Sequence, residues 1–206
     1  MTIKIILKKF VNNLYPIQDP DTGHVYKSHK EFILNTFGGL DSYCLDKIIG
    51  DYFSNYLGLS PKINKQDFPY TYDYIKDASN KNTKEIINEL KNTNIYVSSG
   101  QILCHGGKFP IGHPKIGTRL KTCPMFSTSI DPSIAAHHAV QETPCNLWII
   151  NIHKEEQCLP VQIDGQEECE ILIFNSLNLE IKDIRQITSN NSNEIITCFF
   201  LNQILN

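Results

Sequence analysis

Three short strings in the second half of the chain carry side chains suited to chemistry. They are Leu103–Gly107, Phe126–Ser129 and Glu168–Leu172, in that order. The first contains a histidine followed by two glycines, the second ends in three hydroxyls, and the third places two glutamates ahead of an apolar run. Glycines allow a backbone to approach a ligand closely, hydroxyls orient ligands or carboxylates, and a carboxylate stabilises positive charge. A site built from all three strings would hold a polar ligand beside a carboxylate.

Two glutamates stand at the start of a strand predicted over Glu170–Phe174. Residues two apart in a strand face the same side, so Glu168 and Glu170 are expected on one face, about 7 Å apart along the chain. Acidic residues that lead into a buried strand are costly unless they are exposed or line a cleft. The alternative is that both are solvated charges at the edge of a strand.

The hydroxyl string lies directly before a predicted helix start. Asp131 is a suitable N-cap and Pro132 suits the first helical position. The hydroxyls of Ser127 and Thr128 therefore either contact a carboxylate or ligand, or satisfy backbone groups before the helix. No Gly-x-Ser-x-Gly sequence surrounds Ser127, so it is not predicted to be a nucleophile.

His105 closes a strand predicted over Gln101–His105 and is followed by Gly106. Taken alone, it is more typical of a structural histidine than of a ligand contact. No Gly-x-Gly-x-x-Gly follows a strand, and Cys104 beside His105 does not make a cysteine protease. The long connection after the glycines carries residues that would supply positive charge to a diphosphate: Lys108, His113, Lys115, Arg119 and Lys121.

Composition is that of an ordinary globular protein. The 206 residues are 41% hydrophobic and 20% charged. The net charge of −3 argues against non-specific binding of nucleic acid. Seven cysteines with no Cys-x-x-Cys pair predict reduced thiols and a cytosolic working site. No apolar run is long enough for a membrane span, and no signal peptide is recognisable. An effector delivered into a host cell by a dedicated machine would also lack such a peptide.

The two halves of the chain differ in pattern and predict an α+β fold. Residues 1–94 are predicted as a helical region packed on the core, with capping boxes at Ser28/Glu31 and Asn82/Glu85 and an ordered loop over Pro61–Tyr74. Residues 95–206 are predicted as the core, with one helix after Pro132. Its strands are predicted at Gln101–His105, Leu147–His153, Glu170–Phe174, Leu179–Ile184 and Ile195–Leu201.

In this order, the three strings resemble the active site of the mono-ADP-ribosyltransferases, a superfamily that includes bacterial toxins and effectors. The resemblance covers about residues 95–200. It implies a split, mixed β-sandwich with an NAD cleft and an N-terminal helical region. One class of the superfamily carries Arg where this chain has His105, and the diphtheria-toxin class has His there but Tyr at the position of Ser127. This chain combines features of both classes.

The resemblance also implies roles for individual residues. Glu170 would stabilise the oxocarbenium-like sugar as nicotinamide leaves NAD, and Ser127 would hold Glu170 in place. Glu168 would contact and help deprotonate the acceptor, with arginine on a target protein of a host cell as the favoured acceptor. The residues implied in NAD binding are His105, Gly106, Ser127, Thr128 and Arg119. No metal is implied, and neither nucleic acid nor a membrane is an expected partner.

Three other functions remain compatible with the same residues. Water in place of the acceptor would make the protein an NAD glycohydrolase. The missing arginine at position 105 would also suit a catalytically inactive binding module on the same fold. A phosphate-transferring, RNA-processing relative is a distant fourth reading, because the basic residues are few.

Overall fold

A mixed β-sheet and three helices make up most of the described part of the computed structural model. The structure describes residues 4–7, 16–18, 23–28, 30–31, 34, 63–77, 79, 82–91, 93–161, 169–188 and 195–205. The helices are α1 (Pro69–Lys76), α2 (Thr83–Leu90) and α3 (Pro132–Val140). The strands are β1 (Ile5–Ile6), β2 (Ile17–Gln18), β3 (Val25–Tyr26), β4 (Ile95–Val97), β5 (Ile102–Gly106), β6 (Arg119–Lys121), β7 (Phe126–Ser129), β8 (Asn146–Asn151), β9 (Glu156–Pro160), β10 (Glu170–Ile173), β11 (Asn178–Thr188) and β12 (Ile195–Gln203).

Ten of the described strands are hydrogen-bonded in the order β1–β4–β9–β10–β7–β5–β8–β12–β11–β6, and β2 pairs with β3 separately. Neighbours run antiparallel except for two parallel pairs, β1 with β4 and β8 with β12. A mixed sheet with separate helices confirms the predicted α+β class. Within the described residues, no helix has the length and apolar character needed to span a membrane.

Strands β5 and β7 share fewer paired residues than their neighbours in this part of the sheet. These strands are paired at one position only, Cys104 with Ser129. On either side of the junction the ladders are longer, with five positions between β5 and β8 and four between β7 and β10. The two parts of the sheet therefore separate between β5 and β7.

Two apolar clusters hold the described sheet and its helices together. The larger surrounds β8, whose Leu147 and Ile150 are fully buried. The smaller lies between α2 and the pair β9–β10, with Leu90 and Leu172 at its centre. Each fully buried aliphatic side chain contributes about 1.5–3 kcal/mol. The apolar runs that predicted strands in the sequence are thus the residues that fill these clusters.

Strand predictions from apolar runs are confirmed for β5, β8, β10, β11 and β12, with end positions that differ by a few residues. The other seven described strands were not predicted, and two of them, β7 and β9, lie directly beside the strand that carries Glu170. Phe126–Ser129, interpreted as a hydroxyl segment before a helix, is β7, because its backbone pairs with β10 over its whole length. Strand β9, Glu156–Pro160, was not predicted because it begins with polar residues. It pairs with both β4 and β10.

The prediction of an ordered loop over Pro61–Tyr74 was wrong, because α1 begins at Pro69. Proline suits the first helical position, but the N-cap residue makes no side-chain hydrogen bond. Glu89 of α2 supplies the cap: its carboxylate accepts bonds from the amides of Tyr70 (3.0 Å) and Thr71 (2.9 Å) and from the Thr71 hydroxyl (2.8 Å). A cap from another helix leaves no local sequence signal.

The three predicted helix starts have different outcomes. Asp131 caps α3 as predicted, accepting a bond from the Ser133 amide at 2.8 Å. The Ser28 hydroxyl accepts from the Glu31 amide at 3.1 Å, which agrees with the predicted capping box. Helix α2 follows Asn82 as predicted, but no side-chain bond is made by this residue as the N-cap.

Helix α3 packs directly on the backbone of β5 at Gly106. A Cβ atom at this position would lie 1.9 Å from the Ala135 carbonyl oxygen and 2.5 Å from the Ala139 nitrogen. Both atoms belong to the helix backbone, which cannot rotate away as a side chain could. Close packing of α3 therefore requires glycine at position 106, independently of any ligand.

We predict that Gly106→Ala lowers the free energy of unfolding by about 3 kcal/mol, or roughly 6–12 °C in Tm, since the added methyl must displace α3. Thermal unfolding followed by circular dichroism measures the change. Gly112→Ala is the control, because a Cβ there has no heavy atom within 4 Å. Equal stability of the two variants would contradict the packing described for α3.

Candidate active site

A cleft of about 230 Å³ opens where β5 and β7 separate. Its walls come from β5, β7, the first residue of β10 and one side of α3. The residues that line it are Cys104, His105, Gly106, Ser127, Thr128, Ser129, Ile134, Ala135, His138 and Glu170. The volume is below the roughly 300–1,000 Å³ of sites for drug-sized ligands, so it suits a nucleoside-sized portion of a larger molecule.

The cleft brings together five of the side chains and backbone positions singled out in the sequence: His105, Gly106, Ser127, Thr128 and Glu170. They arrive on three strands that are distant in the chain and adjacent in the sheet. Glu168, the remaining glutamate of the predicted pair, lies outside the described residues.

Two hydroxyls of the string satisfy backbone groups, as one of the two predictions for it required. The Thr128 hydroxyl donates to the Ile171 carbonyl at 2.6 Å, and the Ser129 hydroxyl donates to the Cys169 carbonyl at 3.3 Å. These bonds tie β7 to β10. In the register of the two strands, Ser129 stands opposite Glu170 and Ser127 follows two residues away on the same face. Serine hydroxyls and the carboxylate thus share one side of the cleft.

Left-handed residues precede both strands that carry these groups. Met125 has φ 58° just before β7, and Cys169 has φ 46° just before β10. A non-glycine residue in this region is uncommon and is found often at functional sites. The turn at Cys169 also removes the basis for placing Glu168 and Glu170 on one face, since that argument needs an extended strand through residue 169.

The imidazole of His105 bridges the gap between β5 and β7. Its Nδ1 lies 2.9 Å from the carbonyl oxygen of Ser127. The ring centroid is 4.6 Å from that of Phe126 and 5.2 Å from that of Trp148. On its remaining edge, a Cβ at Gly107 would lie 2.8 Å from Nε2. The ring is therefore in contact with a hydrogen-bond acceptor and two aromatic side chains.

Burial lowers the pKa of His105 to about 4; the bond to the Ser127 carbonyl opposes this shift, and the nearby His138 adds to it. The imidazole is consequently neutral near pH 7. Because a carbonyl oxygen only accepts, Nδ1 must carry the proton and Nε2 the lone pair. A neutral imidazole cannot replace the bidentate guanidinium with which arginine binds phosphate.

Cys104 lies beside His105 in sequence but faces the opposite side of β5. Burial, then the charge of Asp131 and the proximity of Cys198, raise the pKa of its thiol well above the usual range. An un-ionised thiol is a poor nucleophile. Cys104 is therefore a buried, un-ionised thiol near pH 7. All six cysteines in the described residues are free thiols.

Sequence reasoning missed two residues near the carboxylate. His138 lines the cleft from α3. Tyr74 of α1 donates to the Met125 carbonyl at 3.3 Å, and its pKa is raised by burial and, secondarily, by the negative charge of Glu170. The N-terminal half of the chain thus contributes a phenol to the neighbourhood of Glu170. The sequence signals for these two residues were limited to the starts of their helices, Asp131-Pro132 for His138 and Pro69 for Tyr74.

The structure does not bring Arg119 into the cleft. It lies on β6, the far edge of the sheet and four strands from β5, and its guanidinium Nε is 3.2 Å from the carboxylate of Glu180. Lys108 is likewise engaged, 3.3 Å from Glu142. Among the described residues that line the cleft, there is neither lysine nor arginine. The NAD contact predicted for Arg119 therefore gains no support from its position.

Solved structures of bacterial proteins share this fold, and two of the three described next are ADP-ribosylating toxins. The toxin BECa of a binary enterotoxin of C. perfringens, solved with NADH, matches with a TM-score of 0.55 at 12% identity over 77% of this chain and 48% of its own. C3stau2 of S. aureus, solved with NAD, matches with 0.52 at 11% identity over 76% and 96%. Plx2a of Paenibacillus larvae, an ADP-ribosyltransferase toxin, matches with 0.50 at 15% identity over 80% and 97%.

These likenesses establish that the chain has the ADP-ribosyltransferase fold. The chain spans about half the length of the C. perfringens toxin and nearly all of the other two. No protein-family model and no curated protein sequence matches it. The likeness is thus one of architecture, at sequence identities of 11–15%.

We predict that His105 makes the protein less stable as pH falls from about 6.5 to about 4. In this window the unfolded chain takes up a proton at this residue and the folded protein, with a pKa of about 4, does not. The loss reaches about 3 kcal/mol at the lower end and is absent above pH 6.5.

Urea unfolding of the parent and of His105→Asn at a series of pH values measures this loss. Asparagine does not titrate, so the difference between the two free energies of unfolding isolates residue 105. A difference that stays constant between pH 7 and pH 4 would show that the folded protein protonates His105 as easily as the unfolded chain does.

Proposed function

We propose that the protein is a mono-ADP-ribosyltransferase that cleaves NAD and transfers ADP-ribose to a protein. The observation that carries this proposal is the convergence of Ser127, Ser129 and Glu170 on one face of a cleft, in a fold shared with ADP-ribosylating toxins. Two of those relatives were solved with NAD or NADH.

The cleft fits the nicotinamide riboside half of NAD. Its volume is nucleoside-sized, and its polar groups are hydroxyls, a carboxylate and backbone rather than phosphate-binding cations. Gly106 forms part of the cleft wall where α3 packs on β5. Ser127 and Thr128 stand beside it on β7. The adenosine diphosphate half would extend beyond the residues that line this cleft.

Glu170 supplies the charge that the reaction needs. As the bond between the ribose anomeric carbon and nicotinamide breaks, its electron pair leaves with the neutral nicotinamide and positive charge develops on the sugar. A carboxylate held in a partly desolvated cleft stabilises that charge, as in glycoside cleavage. The acceptor nitrogen then bonds to the anomeric carbon and loses its proton.

An arginine side chain is the acceptor in this proposal. Glu168 would contact it and help remove its proton, because glutamate at the first position of the pair accompanies arginine modification in the enzymes that this chain resembles. Within the segment before the pair, residues 159–167, Leu159 and Val161 are buried, so the residues that follow Val161 would meet the target protein. Glu170, with support from the hydroxyls of β7, then acts on the sugar, and Glu168 acts on the acceptor.

We predict that Glu170→Gln reduces NAD cleavage at least about 100-fold, since the substitution removes the charge while keeping the shape of the side chain. Release of nicotinamide from NAD measures the loss. Incubation with labelled NAD and a cell lysate should give a labelled protein band with the parent and none with the variant.

Glu155→Gln is the matched control for this experiment. Glu155 forms a surface ion pair with Lys4, away from the cleft, so its variant should cleave NAD at the parent's rate. Failure of the parent to bind NAD, or a folded Glu170→Gln protein that is as active in cells as the parent, would favour a non-catalytic binding module instead.

The acceptor distinguishes transfer from hydrolysis. We predict that a small guanidino compound raises the rate of nicotinamide release and becomes labelled, whereas an amine of the same length does neither. The guanidine presents a nitrogen nucleophile of the arginine type. If release is equally fast with and without guanidine or lysate, and no labelled adduct forms, the protein is an NAD glycohydrolase.

A further inference from the structure

An isoleucine stands exposed at the corner of a tight turn before β6. In this turn, residues 115–118, the Lys115 carbonyl accepts a hydrogen bond from the Thr118 amide at 2.9 Å. Gly117, with φ 85°, occupies the third position, as in a type II turn, and Ile116 occupies the second. Ile116 is 63% exposed, the highest fraction among the large hydrophobic residues that the structure describes. The turn thus presents an apolar side chain to solvent.

Strand β11 holds this turn in place. The Gly117 amide donates to the Ile181 carbonyl at 2.8 Å, and the Ile181 amide donates to the Thr118 carbonyl at 3.0 Å. None of these bonds involves the Ile116 side chain, so the geometry of the turn does not require isoleucine at its corner. Single exposed apolar residues are common on protein surfaces. This one is distinguished by the charges of the sheet edge on which it lies.

Cations outnumber carboxylates along this edge of the sheet. Each carboxylate of β11, Glu180 and Asp183, is shared by two cations. Lys115 and Lys121 add further charge, and neither forms an ion pair with a described carboxylate. The cations of this surface, which we name the basic edge, are Lys30, Lys115, Arg119, Lys121, Lys182 and Arg185. Six cations and two carboxylates give the basic edge a net charge of +4, in a chain whose net charge is −3.

We propose that the basic edge and Ile116 form a docking surface for an anionic lipid membrane. Ile116 enters the boundary between headgroups and acyl chains, and the cations lie against the anionic headgroups. This contact is peripheral and needs no spanning helix. A protein partner fits less well, because one apolar side chain among cations offers little of the apolar core of a specific protein interface. A nucleic acid would use the cations but would gain nothing from the isoleucine.

The docking surface lies far from the candidate active site. Strands β11 and β6 are three and four strands away from β5 in the order of the sheet. Contact through this edge therefore leaves the cleft open to NAD and to a target at the membrane surface. Lys115 and Lys121, expected from the sequence to supply charge to a diphosphate, belong to this edge instead. The inference does not depend on the proposed function.

Co-sedimentation with lipid vesicles tests the inference on the full chain. The protein should bind vesicles made of equal amounts of phosphatidylcholine and phosphatidylserine, and it should bind much less to vesicles of phosphatidylcholine alone. Added salt should weaken the binding, because exposed charges are screened. Absence of binding to the mixed vesicles would overturn the inference.

Two variants separate the apolar part of the surface from the charged part. Ile116→Ser should lower the partition coefficient onto mixed vesicles about 10-fold, because the apolar contact with lipid is lost. Lys115→Gln combined with Lys121→Gln should lower it about 25-fold, at about 5-fold for each cation removed. Binding of Ile116→Ser at the parent's level would overturn the inference, since charge alone would then suffice, as it does for an acidic protein or a nucleic acid.

Matched controls come from other faces of the molecule. Ile6→Ser removes a 45% exposed isoleucine from β1, at the opposite edge of the sheet. Lys84→Gln combined with Lys91→Gln removes two exposed cations from α2 and its C-cap. Both controls should bind like the parent, and thermal unfolding confirms that each variant is folded. Equal losses in the controls would overturn the inference, because the binding would then not be localised to the basic edge.

A tryptophan at the turn reports insertion directly. Ile116→Trp keeps an apolar side chain there, and lipid brominated in its acyl chains should quench its fluorescence. Trp148, the single native tryptophan, is 4% exposed and should not be quenched. Binding without quenching would place the turn outside the membrane and overturn the inference. NAD cleavage by Ile116→Ser should match the parent's rate, so the proposed function and the membrane contact are tested by separate measurements.

Discussion

The cleft exists because β5 and β7 separate after a single backbone pair. A continuous ladder would close the cleft, because neighbouring strands lie only about 4.8 Å apart. Cys104 and Ser129 form the last pair, and α3 fills one side of the opening by packing against Gly106. The hydroxyls of Thr128 and Ser129 secure β7 to β10, so that β7 stays with its other neighbour when it leaves β5.

The electrostatic character of the cleft follows from this arrangement. Burial keeps the imidazole of His105 neutral and the thiol of Cys104 protonated, so neither contributes charge near pH 7. Glu170 is the carboxylate among the described lining residues, and those residues include no lysine or arginine. Such a cleft favours positive charge that develops in a reaction over an anion that is already charged. This preference suits cleavage at a sugar that becomes oxocarbenium-like.

Features that depend on a few consecutive residues were predictable. The apolar runs of β8 and β10 predicted strands correctly, because apolar residues of this kind fill the core whichever strands lie beside them. The start of α3 was visible because the Asp131 side chain caps the helix two residues later. By contrast, α1 is capped by Glu89 of another helix, and the polar β9 is held by pairing on both sides. Neither the capping carboxylate nor the pairing partners of β9 are close to these elements in the sequence.

The α+β class could be predicted from the residues alone, and so could three of the groups that line the cleft, His105, Ser127 and Glu170, because their order along the chain is a property of the motif. Three other features appear only in the folded chain: Arg119 stands at the far edge of the sheet, Tyr74 lies near Glu170, and His105 Nδ1 bonds to the Ser127 carbonyl. Each of them depends on how strands and helices pack across long sequence separations. The left-handed backbone of Cys169, whose carbonyl oxygen accepts a bond from the Ser129 hydroxyl, is likewise visible only in the folded chain.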